Sequence, residues 1–315
     1  MEPRSPLRPA RRDRRARPRR TLRLHTRAST LTLALVTATM LVTVWATDQS
    51  PAPSHALSVA NVSPSADVVL LANHTRHTAH TAYPIGTRNP RFPSGEAPPS
   101  ATALAGYHRT YVARFSGTSL PAGWMTFRGT PSGDNGSQWL SSHVVVSNGL
   151  LNLNAYEDPQ AGNQWVTGGV CQCGLSSTYG AYFVRSRMTG PGPTQVEMLW
   201  PTSGWPPEID FNETFGSTST SLATVHYGSS NSQVHRSVAI DMTQWHTWGV
   251  VWTATSIVYV VDGRAWGVVT TPAAIPNQPM ALHIQQQTWC GQGFACPTTS
   301  ASTEVAWVAE YASTN

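Results

Sequence analysis

Three carboxylates stand close together between Trp205 and Glu213, in the stretch W-P-P-E-I-D-F-N-E. Glu208 and Asp210 are two residues apart, so on a β-strand they point to the same face. Strict alternation would place Glu213, five residues after Glu208, on the opposite face. One extra residue between Asp210 and Glu213, a β-bulge, returns Glu213 to the shared face. We therefore predict a bulged strand on which the three acids converge.

Convergent acids repel one another, and chemistry is a reason to tolerate that cost. Two carboxyl groups that flank a glycosidic bond can cleave it: one protonates the leaving oxygen, and the other attacks the anomeric carbon or activates water. A third acid can hold and orient the attacking group. The proton donor needs a pKa raised by burial or by neighbouring negative charge, and the sequence leaves open which Glu that is. Considered alone, the triplet is also compatible with an acidic strand face in solvent.

Short strands separated by turns fill the chain from about residue 107. Asn148-Gly149 and Asp262-Gly263 each separate two strand-forming runs, and both dipeptides are typical of tight β-hairpins. Helical periodicity over three turns is absent from the sequence, as is an alternation of strands with helices. Twelve Trp and 24 Gly agree with an aromatic, turn-rich β protein. The pattern predicts an all-β, antiparallel sandwich or jelly roll over residues 107–315.

Positive charge is concentrated at the N-terminus. The net charge is +5 and every basic residue is Arg, with 11 Arg and two acids in residues 1–46 but 10 Arg and 14 acids in the remainder. The basic stretch precedes an uncharged, apolar run over residues 30–46, which predicts a signal peptide or, if uncleaved, a membrane tether. An RNA-binding arm is the competing interpretation of the Arg run. The apolar segment favours export, so we predict no nucleic-acid partner.

Residues 47–106 are rich in Ser, Thr, Pro, Ala and His and show little periodicity. Such a composition buries too little apolar area to offset chain entropy, so we predict a disordered linker. The protein is thus expected outside the cell. It is either secreted or anchored to the membrane with the β domain, residues 107–315, on the outer side.

An exported chain with four cysteines can form two disulfides. Cys171 and Cys173 share one strand face, so a bond between them would be strained. Two bridges from this pair to Cys290 and Cys296, or a Cys290–Cys296 bridge with two free thiols, both stay open. C-x-C without a nearby His pair is an unusual zinc spacing, and no metal is expected.

Indole rings stack on the apolar faces of sugar rings and leave the hydroxyl groups free for hydrogen bonds. Four tryptophans are candidates for such stacking: Trp165, Trp200, Trp205 and Trp289. Trp205 is the best candidate because it directly precedes the acids. Three others lie within strands and are predicted to be core residues: Trp248, Trp252 and Trp266.

Further motifs surround the acids: Trp200-Pro201, T-V-H-Y-G at 224–228, W-H-T-W at 245–248, and Val261-Asp262-Gly263. Together with E-I-D-F-N-E they resemble glycoside hydrolase family 16, over nearly the whole of residues 115–308. The bulged E-x-D-x-x-E spacing resembles laminarinase-type members, which cut β-1,3-glucans. Mixed-linkage and xyloglucan specialists usually have E-x-D-x-E, whereas agar- and carrageenan-cutting members share the bulged form.

The resemblance implies a concanavalin A-like β-jelly roll with a carbohydrate cleft on its concave sheet, and a retaining, double-displacement mechanism. By the matching positions, Glu208 would be the nucleophile, Asp210 would assist it, and Glu213 would be the acid/base. His226 would lie on the neighbouring strand near the acid/base. The predicted activity is endo-acting hydrolysis of a β-linked polysaccharide, either β-1,3-glucan of the laminarin type or mixed β-1,3/1,4-glucan. A transglycosylase or a catalytically silent glucan-binding module of the same fold is the alternative.

The chain departs from the family pattern in two places. Many members bind calcium on the convex face, but Ala306 stands where an Asp is common, so we expect neither that site nor a cofactor. The strand M-A-L-H-I-Q-Q-Q, residues 280–287, lacks the usual Asn and Gly, and Gln285 and Gln287 are expected to contact substrate there. We expect a monomer whose partner is the polysaccharide.

Overall fold

The computed structural model of the chain describes residues 83–131, 134, 136–290 and 296–314, together with the backbone of Val68–Leu70. The predicted signal or tether, and residues 47–67 and 71–82 of the predicted linker, therefore lie outside the described residues. Within those ranges, no helix is both long and apolar enough to cross a membrane.

Strands dominate the described chain, and helical structure is limited to three short 3-10 turns at Ser141–His143, Pro159–Ala161 and Pro272–Ala274. The strands are β1 (Val68–Leu70), β2 (Thr87–Arg88), β3 (Glu96–Ala97), β4 (Tyr107–Ala113), β5 (Met125–Thr126), β6 (Ser137–Trp139), β7 (Val144–Ser147), β8 (Leu150–Asp158), β9 (Gln164–Thr167), β10 (Gly169–Cys171), β11 (Gly180–Met188), β12 (Thr194–Pro201), β13 (Glu208–Glu213), β14 (Thr220–Tyr227), β15 (Ser232–Ala239), β16 (His246–Trp252), β17 (Ile257–Val261), β18 (Arg264–Val269), β19 (Met280–Gln287) and β20 (Ala301–Ser313).

These strands form two large sheets. The first sheet has the order β1-β15-β14-β13-β12-β19-β10-β5, and the second has the order β18-β17-β16-β11-β20-β8-β9-β6, with β4 beside β20 and β7 beside β8. Among the described strands, pairing is antiparallel except for β1 with β15 and β6 with β9. The predicted all-β, antiparallel sandwich is confirmed.

Both predicted hairpins are present. Asn148-Gly149 joins β7 to β8, and Asp262-Gly263 joins β17 to β18. All four turn residues have positive φ, between 45° and 77°. Positive φ at both central positions matches the right-handed twist of the flanking strands, and Asn-Gly and Asp-Gly adopt it at low cost.

The main core lies between the two sheets. Inward-facing side chains such as Ile209 and Leu282 of the first sheet pack with Trp248 and Trp252 of the second. Trp248 and Trp252 are fully buried and Trp266 is 5% exposed, so the prediction that these three belong to the core is confirmed. Each large apolar side chain buried in this way contributes about 1.5–3 kcal/mol relative to leaving it in water.

The second half of the predicted linker, residues 83–106, packs on the second sheet. The Tyr83 amide donates to the Gly263 carbonyl at 3.3 Å, and the Trp307 indole donates to the Glu96 carbonyl at 3.1 Å. β2 and β3 pair within this segment. Because its buried polar groups find partners on the sheet, the folded unit begins at least as early as residue 83, in contrast to the disorder expected there.

Arg185 fixes this segment through a buried ion-pair network. Arg185 lies on β11 and is only 7% exposed. Its Nη1 lies 3.9 Å from Glu96 Oε2 and 3.7 Å from Asp262 Oδ1, and it donates to Thr247 Oγ1 at 3.2 Å. His246 completes the network with a 2.7 Å contact to Asp262. One guanidinium thus neutralises two carboxylates from distant parts of the chain.

The disulfides are Cys290–Cys296 and Cys171–Cys173. The second pairing corrects the expectation that strand geometry disfavours it. β10 ends at Cys171 and the chain turns at Cys173, which brings the two Cα atoms to 5.1 Å, within the usual range for a disulfide.

We expect Arg185→Leu to lower the free energy of unfolding by about 3–5 kcal/mol, because it leaves two buried carboxylates without their cation. Arg187→Leu is the matched control. Arg187 also pairs with an acid, Glu304, at 2.7 Å, but its side chain is 37% exposed. The control should lose less than about 2 kcal/mol. Urea unfolding of both variants measures the difference, and equal losses would contradict the network's role.

Candidate active site

The bulge predicted in β13 is present between Asp210 and Glu213. Asp210 pairs with Thr224 of β14 but Glu213 pairs with Leu222, so β13 uses three steps where β14 uses two. On the other side, Glu197 and Met198 of β12 are consecutive, yet they pair with Asn212 and Asp210. The extra residue lies at the middle of the acidic stretch, as alternation required.

The bulge separates the acids from their apolar neighbours. Ile209 and Phe211 belong to the core between the sheets, and Asn212 is also fully buried. Glu208, Asp210 and Glu213 lie on the opposite side of the first sheet, which we call the cleft face. Two successive inward residues, Phe211 and Asn212, are what return Glu213 to this face.

Each of the three acids is nearly excluded from solvent. Glu208 and Glu213 are 8% exposed and Asp210 is 2% exposed. The Trp205 indole N–H donates to Glu208 Oε2 at 2.6 Å. Asp210 Oδ2 lies 3.3 Å from Nε2 of His226, whose Nδ1 is 2.8 Å from Asn231 Oδ1. The sequence-predicted residues Trp205 and His226 are thus brought to the acids.

The environment raises the pKa of both glutamates and of His226, although burial by itself acts in opposite senses on an acid and on a histidine. Burial, followed by the charge of Asp210, raises the pKa of both Glu208 and Glu213 well above the ordinary value, and the charge of His226 opposes the rise. Burial alone would lower the pKa of His226, but the hydrogen bond and charge of Asp210 and the charge of Glu208 raise it to about 9. His226 is therefore a cation at neutral pH, paired with Asp210.

Aromatic rings continue from the acids across the cleft face. Trp205 lies 5.9 Å from His226 and 6.2 Å from Trp200, centroid to centroid. Trp200 lies 6.1 Å from His283 of β19, which lies 5.3 Å from Phe127. The half of the cleft face from β13 toward β5 thus offers a row of rings of the kind that binds sugar faces.

Gln285 and Gln287 of β19 also lie on the cleft face. Gln285 pairs with Val196, which in turn pairs with Glu213, so these three residues form one row across neighbouring strands. Both glutamines are 6% exposed. Their side-chain amides can therefore form hydrogen bonds with a molecule bound near Glu213. The row of aromatic rings, in contrast, lies at the Glu208 end of β13.

Trp289 follows β19 and stacks on Phe215 with ring centroids 6.3 Å apart. Together with Thr194 and Thr288 these rings line a cavity of about 360 Å³. Because Phe215 comes two residues after Glu213, the cavity adjoins the Glu213 end of the acidic strand. The Thr288 and Trp289 amides both donate to Asp134 Oδ2 at 3.0 Å, which fixes the loop that carries the indole.

Trp165 is not brought to the acids. It lies on β9 of the second sheet, is 8% exposed, and packs with Ala155 and Cys290. A ring covered in this way offers no open face to a sugar, so the predicted stacking role of Trp165 is not supported by its position.

Several residues of this region escaped sequence reasoning. His283, Phe127, Asn231 and Asp134 carry no local motif, and their proximity depends on strand register and loop contacts. Glu197 had a detectable signal: it is a charged residue inside the otherwise apolar run V-E-M-L-W.

Among the described residues, two groups of side chains bring potential metal ligands within 4.8 Å of one another. One is Glu208, Asp210 and His226; the other is Cys171, Cys173 and His283. The cysteines of the second group are joined in a disulfide, so they offer no thiolate. In the first group, Nε2 of His226 lies 3.3 Å from Asp210 Oδ2, so these two side chains already contact each other.

Comparison with known proteins agrees with this fold. The sequence model of glycosyl hydrolases family 16 matches residues 133–309, and the chain belongs to that family. Endo-1,3-1,4-beta-glycanase ExsH of Rhizobium meliloti (strain 1021) is 33% identical over 152 residues, which cover 44% of this chain and 32% of that protein. The chain thus spans about a third of the length of this curated relative.

Solved structures share the fold. The laminarinase from Rhodothermus marinus superposes with a TM-score of 0.60 at 22% identity, covering 66% of this chain and 98% of that one. The endo-beta-1,3-glucanase from Pyrococcus furiosus gives a TM-score of 0.57 at 19% identity, covering 66% and 95%. The expected jelly roll of this family is confirmed.

The pairing of His226 with Asp210 makes a direct prediction about pKa. Asp210→Asn removes the hydrogen bond and the charge that raise the pKa of His226, so this pKa should fall from about 9 toward the ordinary value of about 6.5. Long-range ¹H–¹⁵N NMR of the imidazole measures it. Asp241→Asn, an exposed acid that bonds Thr243 instead, is the control and should leave it unchanged.

The same pairing links stability to pH. A cation whose pKa is higher in the folded than in the unfolded state stabilises fully below pH 6.5, and this contribution disappears as the pH rises through about 9. In Asp210→Asn this part of the alkaline loss should be absent. A His226 pKa that stays near 9 in Asp210→Asn would contradict the assignment.

Proposed function

We propose that the protein is a retaining, endo-acting glycoside hydrolase that cleaves a β-linked polysaccharide, either β-1,3-glucan or mixed β-1,3/1,4-glucan. The observation that carries the proposal is the bulge in β13, which gathers Glu208, Asp210 and Glu213 on one face beside stacking aromatic rings. Family membership supports the substrate class, as do the names of the similar proteins: an endo-1,3-1,4-beta-glycanase, a laminarinase and an endo-beta-1,3-glucanase.

In the first step, the Glu208 carboxylate attacks the anomeric carbon. The new carbon–oxygen bond forms as the glycosidic bond breaks, and the Glu213 carboxyl donates its proton to the leaving oxygen. Asp210, two residues away on the same face, assists Glu208 as the nucleophile. His226 holds Asp210 in place through the 3.3 Å contact and supplies positive charge beside the acids.

The two glutamates need opposite protonation states before this step. Both have raised pKa values, and the charge of His226 lowers both. Glu208 also receives a hydrogen bond from Trp205 that lowers its pKa, and a hydrogen bond with Asp210 opposes this to a smaller extent. We infer that Glu208 loses its proton first and that Glu213 stays protonated as the donor. Environments that separate the pKa values of two carboxyls assign their roles.

In the second step, water attacks the anomeric carbon of the glycosyl-enzyme and the bond to Glu208 breaks. Glu213, now a carboxylate, accepts the proton from the water, and the product keeps the original anomeric configuration. Where a sugar hydroxyl replaces water in this step, the outcome is transglycosylation. A silent glucan-binding module of the same fold would not need all three acids.

We further propose that the protein acts outside the cell as a monomer without a cofactor. The basic stretch and apolar run of residues 1–46 support export, either as a cleaved signal or as a membrane tether. The polysaccharide substrate agrees with that location, because it is too large to enter a cell intact.

Incubation with laminarin, lichenan, agarose and carrageenan tests the substrate class. We expect new reducing ends from laminarin or lichenan, with the β-anomer released first in ¹H NMR spectra. Long products early in the reaction would support endo action. Release of the α-anomer first, or cleavage of agarose or carrageenan alone, would contradict the proposal.

Glu208→Gln and Glu213→Gln should each lower turnover by several orders of magnitude while the fold is retained, because each removes a group that forms or protonates a reacting bond. Glu157→Gln is the control, since Glu157 is exposed on β8 of the other sheet. Reducing-end assays and circular dichroism measure activity and folding. Near wild-type turnover in either active-site variant would exclude the assigned roles.

A further inference from the structure

A fourth carboxyl group lies directly behind the catalytic strand. Glu197 of β12 is fully buried and faces the interior of the sandwich, away from the cleft face. Its cross-strand partner is Asn212, the residue of the bulge that immediately precedes Glu213. The mechanism described above makes no use of Glu197.

Glu197 connects the two sheets through hydrogen bonds. The Ser186 hydroxyl of β11, in the second sheet, donates to Glu197 Oε1. The side-chain amide of Gln195, Nε2, donates to the same oxygen at 2.9 Å. Gln195 also donates to Ser186 Oγ at 3.0 Å. Asn212 is held from its other side by the Ser221 hydroxyl of β14, at 2.7 Å. Strands β11, β12, β13 and β14 therefore meet at this cluster.

The cluster also reaches the residue after Glu213. The backbone N–H of Thr214 donates to the backbone carbonyl of Gln195 at 3.1 Å, and the backbone N–H of Gln195 donates to Thr214 Oγ1 at 3.0 Å. Thr214 is thus bonded to Gln195, which also bonds Glu197, and Asn212 pairs with Glu197 directly. Both sequence neighbours of Glu213 are therefore held by this cluster. The side chain between them has little freedom to change its direction.

We propose that Glu197 is a positioning residue for Glu213: it anchors the bulge at Asn212 to the second sheet and so fixes the direction in which Glu213 projects. The inference rests on the function proposed above. Glu197 itself contacts no substrate and acts only through the backbone of β13. A bulge leaves ladder hydrogen bonds unmade, so it needs side-chain partners of this kind to stay at one position.

The chemical state of Glu197 suits an anchor. Burial raises its pKa to about 8, and hydrogen bonds from Ser186, Asn212 and Gln195 only partly oppose the rise. None of the groups that influence this pKa is charged. At neutral pH Glu197 is thus a neutral carboxylic acid, which a glutamine can imitate in size and hydrogen bonding.

Three variants test the proposal. Glu197→Gln preserves the shape and acceptor oxygen and should keep kcat within about 3-fold of wild type. Glu197→Leu leaves the Ser186 and Gln195 donors unpaired and places an apolar side chain opposite Asn212; it should lower kcat by about 10–100-fold with KM within about 3-fold, since small misplacements of a catalytic group cost rate. Ser186→Ala removes one bond and should cause a smaller loss in kcat.

Glu310→Leu is the matched control. Glu310 of β20 is also buried, at 9% exposure, and its pKa is also raised to about 8 by burial, but it lies in the second sheet. Its replacement should change thermal stability without changing kcat or the pH profile. Comparing it with Glu197→Leu separates a general cost of altering a buried acid from an effect on Glu213.

Carboxyl ¹³C NMR gives a readout that needs no substrate. In Glu197→Leu, or in Ser186→Ala if the first variant does not fold, the pKa of Glu213 should change while that of Glu208 stays constant. An unchanged Glu213 pKa, or a kcat loss no larger than in Glu310→Leu, would overturn the positioning role. Wild-type inactivity on all four polysaccharides would instead contradict the proposed function and leave the NMR result to decide this inference.

Discussion

The extra residue in β13 is the constraint on which the rest of the site depends. In a regular strand, Asn212 would face the cleft and Glu213 would project into the apolar core. With two successive inward residues, Phe211 and Asn212, all three acids reach the cleft face. The sheet order then places His226 on one side of them and Trp200 on the other. The location of the bulge decides which groups the acids meet.

The second determinant is charge balance in a buried space. Glu208, Asp210 and Glu213 are nearly excluded from solvent, and among the described residues the cation that contacts them is His226. One imidazolium cannot offset three carboxylates, so at least one acid must keep a proton at neutral pH. The hydrogen bond from Trp205 favours the charged form of Glu208. The two glutamates have chemically identical side chains but different hydrogen-bond partners.

The sequence predicts the features that depend on local periodicity. The bulge follows from the spacing of Glu208 and Glu213, and the hairpins follow from the turn chemistry of two dipeptides. Features that depend on distant contacts were not predictable in this way. Residues 83–106 have the composition of a linker, yet they are fixed by Arg185, and the burial of that side chain depends on Glu96 and Asp262. Likewise, the turn after β10 permits the Cys171–Cys173 bridge.

The cluster behind β13 also constrains how such a chain can change over evolution. Deleting one codon at Asn212 would convert the E-x-D-x-x-E spacing into E-x-D-x-E and straighten the strand. The same deletion would place an apolar residue opposite Glu197 and remove the acceptor of the Ser221 hydroxyl. Glu197 would keep the Ser186 and Gln195 donors but would face Phe211 in place of Asn212, so the cost of the deletion depends on the residue at position 197. Straight and bulged forms of this strand differ in length by one residue, yet they place different side chains opposite that position.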